Sequence, residues 1–388
     1  MTVPRVAGVG LTHFGVQPDR TTRDLFAEAG LAALDDAGVP DDDVESLYYG
    51  NFIGERAERQ GHQGPLMAEA VGLDAPASRF ENACASGGTA VRQAVNAVRG
   101  GAADVVLVGG AERMNNLDTA VATDALATAA DELYEVRAGV TFPGAYALMA
   151  RAYLDEHGGG REDLAHVAVK NHANAVANEY AQFQSEITVE DVLEAPMIAD
   201  PVGMYDACPI TDGAAAFVLV SEAYADEHGL DAPVAVTGSG HGGDSLALQD
   251  RASLSRIPAA ERAAEAAYAD AGVGPTDVDL AEVHDCFTIA EVMALEALGL
   301  ADPGEGIGAA RRGETTADGA VPVNLSGGLK AKGHPVGATG VSQVTEVTRL
   351  LRGDHPNHDA VSDATVGVTH NAGGTGASAF VHVLEVAA

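Results

Sequence analysis

Two segments 250 positions apart share one punctuation, and this recurrence restricts the fold more than any other feature. Cys84-Ala-Ser-Gly-Gly-Thr-Ala-Val-Arg-Gln93 lies over His334-Pro-Val-Gly-Ala-Thr-Gly-Val-Ser-Gln343, with Gly, Thr, Val and Gln in common. A second match, Asp36-Ala-Gly-Val39 with Asp270-Ala-Gly-Val273, is followed in each copy by Asp-Val and a strand-like run. Each copy of the longer segment continues through a helical stretch ending near Arg-Gly and into a valine-rich run. Recurrence of this kind predicts two similar halves related by a pseudo-dyad.

Short β-branched runs alternate with alanine-rich stretches, the pattern of an α/β protein. Strands are expected at Val105-Val106-Leu107-Val108, 214–220, 234–238, 280–284, 365–369 and 379–384. Helices are expected at 22–37, 85–99, 258–271 and 340–352. Residues 115–204 match nothing in the second copy and read as an insertion. The division is therefore 1–114 plus 205–233 for the first half, 115–204 for an inserted loop domain, and 234–388 for the second half. The insertion carries Tyr134, Phe142-Pro143-Gly144 and Met149, apolar groups suited to covering a site.

Pseudo-symmetry has a chemical consequence. Cys84 and His334 occupy the same place in the two copies, each at a strand-to-helix turn, so a dyad would bring thiol and imidazole together. A helix start offers free N–H groups and a positive dipole end, which favour a thiolate nucleophile; a small buried cysteine acting as filler is the bland alternative. His334, held by Pro335 and Gly337, is placed to accept a proton or merely to cap its turn. His370 follows a strand in Thr-His-Asn-Ala-Gly-Gly-Thr-Gly, where a glycine-rich turn exposes N–H donors or cradles a phosphate. His284 and Cys286 end another strand. No second ligand pair follows them, so no metal centre is expected. Cys208 precedes a buried strand and reads as structural.

Charge narrows the partners. The 388 residues hold 22 basic and 57 acidic side chains, a net charge of −35, spread along the chain rather than gathered in a tail. Such an excess repels nucleic acid and anionic membranes. It suits concentrated salt, where repulsion is screened within a few ångströms, and points to a salt-accumulating source. With three cysteines and no secretory-type leader, a cytoplasmic protein without disulfides is expected. Against this background Lys330, Lys332, Arg311 and Arg312 form a local cationic cluster near His334. It would either attract a polyphosphate or pair with carboxylates.

Taken in order, these motifs resemble the thiolase superfamily along nearly the whole chain. The Cys84 segment resembles its nucleophile loop, 324–340 (Asn-Leu-Ser-Gly-Gly-Leu-Lys-Ala-Lys-Gly-His-Pro-Val-Gly-Ala-Thr-Gly) its most specific signature, and Asp212-Gly-Ala-Ala-Ala216 its central strand entry. His284-Asp-Cys-Phe287 is similar to the form found in sterol-carrier-protein-type and archaeal members. The resemblance implies a five-layered α/β/α/β/α fold and an acetyl-CoA C-acyltransferase that joins two acyl-CoA thioesters into a 3-ketoacyl-CoA and free CoA. It implies Cys84 as acylated nucleophile, His334 as its activator, and His284 with His334 around the thioester oxygen. N–H groups of Cys84 and of the Ala372–Gly373 turn would form a second oxyanion site. Where many relatives carry a second cysteine, this chain has His370, the expected α-proton base, with Cys286 as substitute. Met149 and the cationic cluster are expected to meet CoA. No cofactor beyond CoA thioesters is implied. A homodimer or tetramer is, and so is company from a small zinc-containing OB-fold protein and 3-hydroxy-3-methylglutaryl-CoA synthase. A decarboxylating ketosynthase-like enzyme and a partner-dependent acyl-CoA-binding subunit are the rival readings.

Overall fold

A computed structural model describes residues 2–387. In chain order its strands are β1 (Pro4–Leu11), β2 (Ser46–Gly50), β3 (Ala77–Phe80), β4 (Val105–Glu112), β5 (Met197–Ala199), β6 (Val202–Gly203), β7 (Gly213–Ser221), β8 (Val234–Gly243), β9 (Leu280–Glu282), β10 (Val366–Gly373) and β11 (Ser378–Val386). The helices of the first half and the insertion are α1 (Thr22–Ala37), α2 (Gly54–Ala57), α3 (Gln63–Ala70), α4 (Ser86–Arg99), α5 (Thr119–Ala127), α6 (Phe142–His157), α7 (Arg161–Ala175) and α8 (Val189–Glu194). Those that follow are α9 (Glu222–His228), α10 (Pro258–Ala271), α11 (Thr288–Ala297), α12 (Gly306–Arg312) and α13 (Thr339–Arg352). All six expected strands and all four expected helices are present.

Strand order makes the pseudo-dyad explicit. The large sheet runs β3-β2-β4-β7-β1-β8-β11-β10-β9. Apart from β3, the sequence reads the same from either end once β2, β4, β7 and β1 are matched to β9, β10, β11 and β8. Pairing types agree as well: β2–β4 and β9–β10 are parallel, while β4–β7–β1 and β10–β11–β8 are antiparallel. The halves join where β1 meets β8 through Arg5↔Ala235 and Val6↔Val234.

Helices complete five layers. Outside the first half α1 lies on β1, β7 and β4, and outside the second α10 lies on β8 and β11. Between the two, α4 and α13 pack on each other and on strands of both halves. The outer contacts run on small residues. A Cβ added at Gly8 or Gly10 would strike the α1 backbone at Ala29, Ala33 and Ala37; one at Gly238, Gly240 or Gly242 would strike α10 at Ala267, Ala263 and Ala259. Four helical residues rise about 6.0 Å and two strand residues about 6.6 Å, so glycine at every second strand position meets alanine at every fourth helix position. The same register in both halves explains why a chain with 46 glycines and 5% aromatics still closes its core.

The halves differ in one connection. β10 passes to β11 through the short Gly374–Ala377 turn, whereas β4 and β7 are separated by residues 113–212, carrying α5 to α8. Asp212 closes that excursion, its carboxylate accepting from the N–H groups of Met114, Asn115 and Gln17. No helix among the described residues is long and apolar enough to cross a membrane.

The Gly–Ala register is testable within one strand. Gly240→Ala should lower unfolding free energy by about 1–3 kcal/mol, because Ala263 of α10 leaves no room. Gly243→Ala, whose Cβ would find its nearest neighbour 3.9 Å away, should stay within about 0.5 kcal/mol. Urea titration of both variants checks this.

Candidate active site

The dyad does what the repeat predicts. Helix starts α4 and α13 meet backbone to backbone. A Cβ on Gly87 would lie 2.9 Å from Gly337 O and Gly340 N, and one on Gly50 2.7 Å from Gly337 O. Thr89 and Thr339, matched in the repeat, make the same bond four residues back, to Ala85 O and Pro335 O. Ligand atoms of Cys84, His284 and His334 consequently lie within 4.8 Å of one another. The two imidazole rings are 5.0 Å apart and nearly perpendicular, at 86°.

Each histidine is set by its neighbours. Thr339 Oγ1 gives its proton to Pro335 O (3.1 Å), so at 2.7 Å from His334 Nδ1 it accepts. His334 therefore carries its proton on Nδ1 and turns the Nε2 lone pair toward the site, where it has no partner. Thr211 Oγ1 holds the His334 backbone N–H at 3.0 Å. His284 Nδ1 faces the Asn371 side-chain amide at 3.2 Å. His370 touches the group through backbone: the His284 N–H donates to its Nδ1 at 3.4 Å. Burial pushes all three down, His334 to about 3, His370 to about 4 and His284 well below the ordinary range, so the resting imidazoles are neutral.

Cys84 follows Ala83, held at φ 50°, and packs beside Ile53, Met114, Ala125 and Val336. The helix start does not make it a resting thiolate, contrary to the expectation from the dipole. Burial pushes the thiol up to about 12, with Glu112 and Glu81 adding repulsion, against N–H groups of Gly374 and of Cys84 itself. Desolvation of a near-buried anion outweighs a half-charge dipole end. Gly374 thus supplies the N–H that reaches the sulfur, while Ala372 and Gly373 stand in the β-ladder opposite Ala379 and Ser378. Gly374 adopts φ +59°, which favours glycine. Its carbonyl accepts from the Tyr146 hydroxyl at 3.0 Å.

Of the five expected CoA contacts, Lys330, Lys332 and Met149 are buried and Arg311 and Arg312 line another cavity. Lys330 is buried with Nζ donating to Ala207 O at 2.6 Å; Lys332 is buried against Ser342 Oγ (2.7 Å) and Glu346 (3.3 Å). Neither ammonium is free for a phosphate. Arg311 pairs with Asp163 and Arg312 with Glu305 and Glu314 at the end of α12. The cavity these arginines line, with His157 and Gly304, includes none of the catalytic candidates. Met149 is fully buried in the core instead of covering the site, and Tyr134 is exposed.

Sequence reading missed several groups. Glu112, buried and pushed up to about 7 by burial, accepts from Phe52, Ile53 and Gly337 N–H and ties the His334 turn to the first half. Asn371 lies beside His370 in the glycine-rich motif and Thr339 matches Thr89 in the repeat, but only folding brings Asn371 to Gly88 and His284. Cys208 donates its backbone N–H to Cys286 O. Cys286 is buried, its thiol against Tyr146 and within electrostatic reach of Cys84.

Residues 6–223 match the family model "Thiolase, N-terminal domain" and 240–386 match "Thiolase C-terminal domain-like". The chain belongs to the thiolase family. Over 381 residues it is 46% identical to an acetyl-CoA acetyltransferase of Methanothermobacter thermautotrophicus, covering 98% of both chains. It is 33% identical to human sterol carrier protein 2, spanning 96% of this chain and 70% of that protein. A solved structure described as "Ltp2-ChsH2(DUF35) aldolase" superposes with TM-score 0.86 at 27% identity, covering 99% of this chain and 98% of that one.

The resting thiol gives a pH prediction. With Cys84 protonated throughout the neutral range, its alkylation by iodoacetamide should rise about tenfold per pH unit up to about pH 10. A plateau below about pH 8 would mean a preformed thiolate–imidazolium pair.

Proposed function

We propose that the chain is an acyl-CoA:acetyl-CoA C-acyltransferase working through a Cys84 acyl-enzyme. The observation that carries this is the placing of the Cys84 thiol beside an unpartnered His334 Nε2 lone pair, at the meeting of two helix starts. As sulfur attacks the thioester carbonyl, its proton passes to His334 Nε2; collapse breaks the carbonyl–CoA sulfur bond, and the departing CoA thiolate takes that proton. Because neutral thiol and neutral imidazole are the resting forms, transfer is coupled to attack. N–H groups of Cys84 and of the 372–374 turn, Ala372 as expected with Gly374 beside the sulfur, hold the tetrahedral oxygen.

In condensation a base removes the α-proton of acetyl-CoA while the His284 imidazole donates to the enolate oxygen. The carbanion attacks the acyl-enzyme, and Cys84 leaves and regains a proton. We assign the base to His370. A second reading places it on Cys286, a buried thiol against Tyr146 and near Cys84. The chain is further proposed to work in molar salt in the cytoplasm, as a homodimer or tetramer. A small OB-fold partner is also proposed; that a similar structure is described with a second component, ChsH2(DUF35), supports a partner as such.

Cys84→Ala should cut thiolysis of acetoacetyl-CoA by about 10⁴-fold or more; retained activity ends the assignment. His370→Asn should stop condensation yet leave Cys84 acylation by labelled acetyl-CoA. If Cys286→Ala does this instead, the base is the thiol. Purified chain assayed alone shows whether a partner is required. The urea midpoint should rise from about 0.1 M to about 3 M KCl as carboxylate repulsion is screened; an unchanged midpoint removes the salt reading.

A further inference from the structure

The two imidazoles facing Cys84 cannot be interchangeable. If both presented lone pairs, neither ring would donate to the enolate oxygen; if both presented N–H, neither would take the thiol proton. Thr339 settles His334 as the acceptor. The opposite choice at His284 needs its own cause, and one side chain supplies it.

We infer that Asn371 is a positioning residue that fixes His284 as the Nε2–H tautomer, so that this ring always offers a proton to the thioester or enolate oxygen. The inference rests on the acyl-transfer reading above. Its basis is a hydrogen-bond chain with one consistent assignment. Gly88 N–H donates to Asn371 Oδ1 at 3.1 Å, which identifies the oxygen of the amide. Its nitrogen then has two hydrogens, one for Cys84 O at 3.0 Å and one for His284 Nδ1 at 3.2 Å. His284 Nδ1 must accept, and in a neutral ring the proton falls to Nε2. Flipping the amide would set its NH₂ against Gly88 N–H and its oxygen against Cys84 O. Burial and the neighbouring His334 and His370 disfavour the doubly protonated ring.

The amide sits in a cradle cut for it. A Cβ on Gly88 would come within 2.8 Å of Asn371 Oδ1, and one on Gly340 would come within 2.5 Å. Both central helices thus leave out a side chain where this amide lies. The same nitrogen that orients His284 also grips the nucleophile's own carbonyl, so donor and sulfur are placed by one group. His284 Nε2 is buried and has no partner in the protein, leaving it free for substrate oxygen.

Asparagine is special here because it differs from aspartate only in that nitrogen. Asn371→Asp keeps the acceptor for Gly88 but turns an acceptor toward His284 Nδ1. That draws the ring proton to Nδ1 and leaves Nε2 as a lone pair facing the developing oxyanion. The test uses the full chain with ¹⁵N-labelled histidine, and His284→Gln assigns the His284 resonances. The wild type should show the Nε2–H tautomer at His284, and Asn371→Asp the Nδ1–H tautomer. In Asn371→Asp, kcat for thiolysis should fall about 10²–10³-fold, as for loss of one oxyanion donor. KM should stay within about threefold, since binding does not require that donor, while Cys84 alkylation at fixed pH should slow, because the new carboxylate faces Cys84 O and raises the thiol further.

An Nδ1–H tautomer in the wild type overturns the inference, and that spectrum decides even where the variant does not fold. So does an Asn371→Asp variant that loses activity with Nε2–H retained, because the loss would then be structural. Absence of acyl transfer in the wild type would refute the enzymatic reading while leaving the tautomer measurement to stand or fall by itself.

Discussion

Contact between two helix starts without intervening side chains is the condition on which the site rests. Gly87 and Gly88 on α4 press against Gly337 and Gly340 at the start of α13. Any Cβ there would push the helices apart and carry sulfur away from imidazole. The contact also explains the odd burial of α13, whose Ser342, Gln343, Thr345, Glu346 and Thr348 are all enclosed. A middle-layer helix has no face on water, so each polar group must be answered from inside. Gln343 donates to His370 O, Thr345 to Val341 O, and Ser342 accepts from Lys332. Gln343 Oε1 and Thr348 Oγ1 find no partner in the protein, so the satisfaction is partial and concentrated next to the residues that do chemistry.

Enclosure also sets the electrostatics. The three histidines are buried and Cys84 is half-buried among them, so charged forms are disfavoured: the thiol is pushed up, the imidazoles down. A pocket of neutral groups with defined lone pairs and protons differs from a preformed ion pair. It stores no charge at rest, and charge appears only when substrate carbonyl arrives to receive it. Fixed dipoles then count for more than they would in water. Thr339 for His334, and Gly374 held by Tyr146 for the oxyanion, are parts of that preorganisation.

Much of this was legible in the sequence, and for a stated reason. The Cys84 and His334 segments recur because equivalent turns in a doubled fold face the same steric demand, so glycine, threonine and valine return at the same spacing. Helices 22–37 and 258–271 were readable to the residue because both end on glycine in the left-handed conformation, at Gly38 and Gly272. The cationic cluster misled. Lysine beside a histidine in an acidic chain reads as a ligand site, but sequence does not show which carboxylates fold inward. Lys332 meets Glu346, fourteen residues on, only because α13 is buried. Met149 misled through period: an apolar residue on an amphipathic helix reads alike whether it faces a site or the core. Asn371 was invisible as a determinant because its partners, Gly88 and His284, come from two other segments of the chain.

Charge distribution follows the same division between inside and outside. The chain has only three lysines, at 170, 330 and 332, and each is buried with a carbonyl, hydroxyl or carboxylate partner: Lys170 on Glu291 and Val323 O, Lys330 on Ala207 O, Lys332 on Ser342 and Glu346. The surface cations are therefore all arginines. A long ammonium stem suits the interior, where its methylenes pack and its head reaches one fixed acceptor. On a surface crowded with carboxylates, guanidinium groups bridge them, as Arg352 does between Asp36 and Asp354. Residues that look like an adaptation to solvent and residues that look like a phosphate site are in this way sorted by one rule. Lysine is retained where the core needs a buried cation, and the outer shell is left to acids with arginine between them.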